Sequence, residues 1–218
     1  MILYEALQPQ VIEKYGRLPN LATNATRLDF HIGGHAAEDA PFTNALARSP
    51  EITNIVSNFF GEELEPVYNS ETAHINLSLA TMDEAEKEKL PQTEAEIKEL
   101  LQKQDSGDGN KIPSTLGLHY DSSTVTMVVT LDLPKEAVGG QTAIVTGDEK
   151  AVRVPEPKVG HATIIQGRVL KHLASKPVTN HNRITFVNAY AVAAPDKLDN
   201  TALTSTKPSK IGSVLEAR

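Results

Sequence analysis

A chain of 218 residues with 39% hydrophobic and 22% charged side chains is long enough and apolar enough to bury one sizeable core. A net charge of −7 without a long basic run excludes a phosphate-backbone binder, and 5% aromatic content with no Trp argues against a stacking platform for single strands. The absence of Cys removes disulfides, thiolate zinc, iron–sulfur clusters and Cys nucleophiles, so any metal site must be built from His and carboxylates. No stretch approaches the length of a membrane span, and Met1 to Glu5 lack a basic segment leading into an apolar one. The expectation is a cytoplasmic protein with neither membrane nor nucleic acid as partner.

In chain order, residues 4–15 read as a short helix that stops near Gly16 and Pro19. Residues 20–45 have no clean period. Ser49-Pro50-Glu51 is an N-cap, a proline at the first helical position and an early acid, which predicts a helix through Ile52, Ile55, Val56 and Phe59 that ends before Gly61. From Ala73 to Ala80 the sequence alternates: Ile75, Leu77 and Leu79 point one way, His74, Asn76 and Ser78 the other. Such a polar stripe is costly to bury unless it meets a wet cavity or hydrogen-bond partners.

A charged segment over 82–105 contains Thr93-Glu94-Ala95-Glu96, a capping box, and predicts a surface helix; Ser106 to Asn110 reads as a loop. From Leu116 onward the chain reads as all-β, with strands over 117–121, 124–133, 141–146, 151–154, 161–166, 168–174 and 183–192. Many short strands at this spacing predict a sandwich or barrel.

His119-Tyr120-Asp121 puts an imidazole and a carboxylate on one face of a strand, because residues i and i+2 share a face. His172, on a later strand, supplies a third ligand. Two His and one carboxylate on one side of an iron leave three positions open, the facial arrangement of non-haem Fe(II) oxygenases: two for a chelating 2-oxo acid, one for O2. Eleven residues after His172 comes Arg183, then Thr185, both on one face of the apolar strand Arg183-Ile184-Thr185-Phe186-Val187. A guanidinium pointing into a barrel is expensive unless it meets an anion. A forked clamp on a carboxylate, with the Thr hydroxyl adding a bond, satisfies it; the alternative is a pairing with an acidic side chain on the outer face.

These motifs resemble the Fe(II)/2-oxoglutarate-dependent dioxygenases. The resemblance extends through Gly139-Gly140-Gln141-Thr142, Pro157-x-x-Gly160 and Gln166-Gly167-Arg168. It is strongest over about 117–192, and weaker over Glu65–Ala80. The similar branches are the prolyl-hydroxylase-type domains and a set of fungal secondary-metabolism oxygenases, one of which makes an aziridine from a valine-like amino acid. The resemblance implies a mainly β double-stranded β-helix (a jelly-roll, cupin-like barrel) with flanking helices. It implies one domain over 1–218: helical support over 1–65, a β-helix core over 66–192 with a helical insertion near 82–110, and a tail over 193–218. It implies Fe(II) on His119, Asp121 and His172, 2-oxoglutarate held by Arg183 and Thr185, O2 as co-reactant, and oxidation of an unactivated C–H bond with release of succinate and CO2.

His74 and Asn76 are the candidates for the substrate side of the cavity, with plain structural hydrogen bonding the alternative. Arg168, four residues before His172 and on the same strand face if no bulge intervenes, is the candidate for a substrate carboxylate, with a rim salt bridge the alternative. The substrate expected is a small molecule, a free amino acid among the candidates. His31 and His35 flank two glycines and read as part of a solvated or lid loop; His161 and His181 read as structural. The competing functions are a 2-oxoglutarate-independent cupin-type dioxygenase or isomerase, which leaves Arg183 without a role, a peptidyl hydroxylase, and a binding barrel with a vestigial site.

Overall fold

A computed structural model of the chain describes residues 1–18, 29–68, 72–78, 119–135, 137, 140–148, 151–154, 158–174 and 182–202. The predicted helix over 82–105, the loop that follows it and His181 lie outside the described residues. The described helices are all short and lie in the first sixty residues, with two strands between the second and third: α1 (Ile2–Ala6), α2 (Pro9–Tyr15), α3 (His35–Asp39), α4 (Pro41–Ala47) and α5 (Pro50–Phe60). The single helix expected over 4–15 is broken in two. Pro9 has no N–H to continue a helix but fits the first turn of one, so it opens α2 instead. The prediction for α5 holds in detail: Ser49 Oγ accepts from Ile52 N at 3.2 Å, and Gly61 closes the helix at a φ of 90°. Val56 is fully buried and Ile52 packs on the core, whereas Ile55 and Phe59 face outward.

The strands are β1 (Gly16–Arg17), β2 (Asp29–Ile32), β3 (Leu64–Pro66), β4 (His74–Ser78), β5 (Val125–Asp132), β6 (Thr142–Val145), β7 (Ala151–Arg153), β8 (Ala162–Ile165), β9 (His172–Ala174) and β10 (Arg183–Val192). They form a large antiparallel sheet in the order β1-β2-β4-β10-β5-β8, with β3 beside the far half of β10, and a small sheet in the order β7-β6-β9. Three expectations are corrected here. The strand expected over 117–121 is, among the described residues, a single bridge at His119 with no ladder through Asp121. Residues 29–32, read as aperiodic, are the strand β2 next to β4. The strand expected over 168–174 is only β9; before it the chain turns, with Val169 N and Leu170 N both donating to Gln166 O.

Cross-strand partners share a face, so the register sorts the large sheet into two sides. On one side lie Ile32, Ile75, Leu77, Val125, Met127, Ile184, Phe186 and Tyr190, packed with Ala6, Val11, Ala36, Ala47 and Val56 of the helices. The other side carries the polar residues, with Val128, Val187 and Ala189 among them. Asp29, Ser78 and Arg183 form one row; His31, Asn76, Thr185 and Thr130 the next; Thr126 lies further along β5. Over His74–Ser78 the alternation therefore separates the helix-facing core from a polar wall.

Asn188 is the exception on the apolar side. It is fully buried on β10, accepts from Ala73 N at 3.0 Å, and donates to Ala47 O at 2.9 Å and Tyr190 Oη at 3.0 Å. One amide thus ties α4, the turn before β4 and the sheet together. Asn188→Ala leaves several buried polar groups without it, and is expected to destabilise the fold by about 2–4 kcal/mol in urea denaturation. A loss under about 1 kcal/mol would show that these bonds are replaced.

Among the described residues no helix is long and apolar enough to cross a membrane.

Candidate metal centre

His119 and His172 meet as an isolated antiparallel bridge, each backbone N donating to the other's carbonyl at 2.9 Å. The bridge sets the two rings against each other, centroids 4.6 Å apart. Two residues on, Asp121 N donates to Gly167 O at 2.9 Å. Asp121 Oδ1 comes within 3.4 Å of His119 Nε2 and 3.5 Å of His172 Nε2, and the three ligand atoms all lie within 4.8 Å of one another.

The remaining polar atoms of Asp121 and His172 are tied elsewhere. His172 Nδ1 donates to Leu170 O at 2.8 Å, which fixes the tautomer and leaves the Nε2 lone pair toward Asp121 Oδ1. Asp121 Oδ2 accepts from Thr126 Oγ1 at 2.6 Å, which leaves Oδ1 for the cluster. Two ligands at right angles around an ion roughly 2.1 Å away would be roughly 3 Å apart, close to the spacings found. An imidazole, imidazole, carboxylate set converging from one side fits a divalent transition ion with open positions.

The electrostatics point the same way. Burial pushes the Asp121 carboxyl up, but contacts to His119 and His172 and the Thr126 hydroxyl outweigh it and hold the group well below the usual carboxylate range. Burial pulls His172 down, and the Asp121 carboxylate and Leu170 carbonyl more than reverse it. Asp121 is thereby held in its ionised form, the form that binds a cation.

Gly167 explains the turn before β9. A Cβ built there would stand 2.1 Å from Asp121 Oδ2 and 2.7 Å from its Cβ and Cγ. Only a bare Cα lets this backbone lie against the carboxylate. The short Asp side chain, pinned by Thr126, cannot swing aside. Gly167→Ala is therefore expected to weaken Fe(II) or Mn(II) binding at least about tenfold, while overpacking costs about 1–3 kcal/mol in a thermal melt. Parent-like metal affinity would show that Asp121 adapts and that its observed position is not required.

Arg183 and Thr185 are 8% and 2% exposed and share the polar wall with Thr126. His74 and Asn76 stand on the same wall, one strand away from β10. Arg168 does not share a strand face with His172: it lies in the turn that Gly167 makes, and its Nε donates to Asn200 O at 3.0 Å. His31 is no loop residue. It lies on β2, its Nδ1 2.9 Å from His74 Nε2, so one of the two nitrogens donates to the other. His35 is fully buried at the start of α3 beside the edge of Tyr15, and burial holds it below the usual histidine range. His161 is exposed, and its carbonyl accepts from Thr130 N.

Sequence reasoning missed Thr126, Thr130, Asp29 and His31. A signal existed for the last two: Asp29-Phe30-His31-Ile32 alternates with period 2, over a run too short to stand out. Thr126 and Thr130 lie on the strand that follows the His-x-Asp pair, where the face they occupy is set by pairing to β10.

No family model matches this sequence, and no curated protein is similar to it. Solved structures are similar in shape. An oxidoreductase of the 2OG-Fe(II) oxygenase family from Burkholderia pseudomallei aligns with a TM-score of 0.52 at 13% identity, covering 91% of this chain and 77% of that one. The non-heme alpha ketoglutarate-dependent epimerase SnoN of nogalamycin biosynthesis aligns at 0.53 and 14%, covering 92% and 84%. The carbocyclase SnoK of the same biosynthesis aligns at 0.54 and 17%, covering 94% and 79%. At these identities the likeness defines the fold, which is the double-stranded β-helix of the 2OG-Fe(II) oxygenases.

Proposed function

We propose that this chain is a non-haem Fe(II) oxygenase that uses 2-oxoglutarate and O2 to oxidise an unactivated C–H bond of a small molecule. The observation that carries the reading is the convergence of His119 Nε2, His172 Nε2 and Asp121 Oδ1 while the remaining Asp121 and His172 atoms are held elsewhere. His119, Asp121 and His172 would hold the iron. Arg183 would grip the far carboxylate of 2-oxoglutarate as a charge-assisted fork, with Thr185 donating one further bond. Their shared wall with Thr126 supports this, since it aligns the clamp and the metal centre along one face. The chemistry such a centre supplies is the coupling of 2-oxoglutarate decarboxylation, with release of succinate and CO2, to oxidation of the substrate.

His74 and Asn76 flank the clamp on β4 and would line the substrate side. The substrate class this favours is a small polar molecule with a carboxylate, a free amino acid among them. The nogalamycin enzymes among the similar structures support a small molecule and a place in secondary metabolism. The test is anaerobic titration with Fe(II) and 2-oxoglutarate, then succinate release across amino acids, neutral terpenoids and a proline-rich peptide. Turnover with the peptide alone would overturn the small-molecule reading.

A further inference from the structure

Beyond β10 the chain turns back to the metal centre. Ala202 N donates to Ser122 O at 2.7 Å. Thr124 Oγ1, on a side chain 7% exposed, donates to Asp199 Oδ1 at 2.6 Å. Asp199 Oδ1 also accepts from Thr201 Oγ1 at 2.8 Å and Thr201 N at 3.3 Å, and the Asn200 side-chain amide lies 3.0 Å from the Thr124 hydroxyl. From the turn at Gly167, Arg168 Nε donates to Asn200 O at 3.0 Å.

The two anchorages flank one contact. Ser122 directly follows Asp121, and Arg168 directly follows Gly167, the pair whose backbones bond and whose atoms touch. This is where the sheet gives no help. The β5–β8 ladder reaches only Thr126 and Ile165, and on either side the chains leave it as bends and turns. Between that ladder and the His119–His172 bridge, the backbone bond from Asp121 N to Gly167 O spans the two turns. Turns without a ladder are free to shift against each other, and a shift of a few tenths of an ångström would part Asp121 Oδ1 from the imidazoles.

We propose that residues 199–202 form a strap that locks the Asp121 turn to the Gly167 turn, and that Thr124, Asp199 and Arg168 are positioning residues of the metal centre. The proposal rests on the metal reading of His119, Asp121 and His172. It gives Arg168 a task apart from substrate: its Nε holds the strap rather than a carboxylate.

The test uses the full chain and Co(II), whose absorption reports carboxylate coordination. Thr124→Val loosens the strap from the Asp121 turn and Arg168→Ala releases it from the Gly167 turn, and each is expected to raise the Co(II) Kd about tenfold and shift the visible bands. Thr124→Ser and Asp199→Asn keep a hydroxyl donor and an oxygen acceptor, and should bind as the parent does. The double variant Thr124→Val with Arg168→Ala should be little worse than either single one, because one release already frees the strap. Urea denaturation of the metal-free proteins runs alongside. Variants that lose stability yet keep parent affinity and spectrum would assign the strap to folding alone and overturn the proposal, as would independent, additive effects. Failure of the parent chain to bind Co(II) strikes the metal reading itself, whereas tight parent binding with unaltered variants strikes only the strap.

Discussion

His172→Ala is expected to abolish Fe(II)-dependent turnover and to weaken Fe(II) binding on the order of a thousandfold or more, with the fold retained. Loss of a residue that merely orients a ligand costs metal sites about 10–100-fold, so removing one of three ligands must cost more. His172 is 6% exposed, and its ring is held by Leu170 O on one nitrogen and faces Asp121 on the other. No third imidazole stands in reserve: among the described residues His119, Asp121 and His172 are the one group of this kind. The backbone bridge between residues 119 and 172 needs no imidazole, so the local fold should survive. His119→Ala and Asp121→Ala are expected to behave alike. Equilibrium dialysis under anaerobic conditions, beside circular dichroism, measures both sides. Tight Fe(II) binding by a His119→Ala, His172→Ala double variant would sink the assignment.

Arg183→Ala is expected to raise the 2-oxoglutarate requirement at least about a hundredfold while leaving Fe(II) binding nearly intact. Removing one partner of a buried charged contact typically costs about 3–5 kcal/mol, which is two to four decades of affinity. Arg183→Lys should recover part of this at most, since an ammonium cannot make the planar fork. Thr185→Ala removes one hydrogen bond, about 1 kcal/mol or fivefold. The competing explanation has a structural basis: Asp29 lies in the same cross-strand row as Arg183, two strands away. If Arg183 serves that carboxylate, alanine should lower stability in urea and leave 2-oxoglutarate binding as in the parent protein. That result would make the 2-oxoglutarate-independent reading the stronger one.

Much of the β region is legible because period-2 alternation and turn residues act locally. The predicted strand over 183–192 is β10 to the residue, and 124–133, 141–146 and 161–166 differ from β5, β6 and β8 only at their ends. The helix after Ser49 is equally local, since its cap, proline and closing glycine lie within thirteen residues. Misreadings occur where a short segment takes its form from a distant partner. β2 has four residues, and it is the neighbouring β4 that makes it a strand. The turn over 166–170 forms where Gly167 must lie against Asp121, a constraint that comes from 46 residues earlier.

The sequence by itself determined which residue types were available for chemistry: no thiols, a His-x-Asp pair, three later His of which His172 is one, and an Arg-x-Thr on an apolar strand. It also determined which face of β4 is polar, because alternation along one strand is a local property. Only the tertiary structure decided that these pieces meet. The bridge between residues 119 and 172, the register of β10 on β5 and the bare Cα of Gly167 are non-local pairings. It alone decided which oxygen of Asp121 is held by Thr126 and which nitrogen of His172 is held by Leu170. A residue's type sets what it can bind. The atom it has left to bind with depends on what the rest of the fold has already taken.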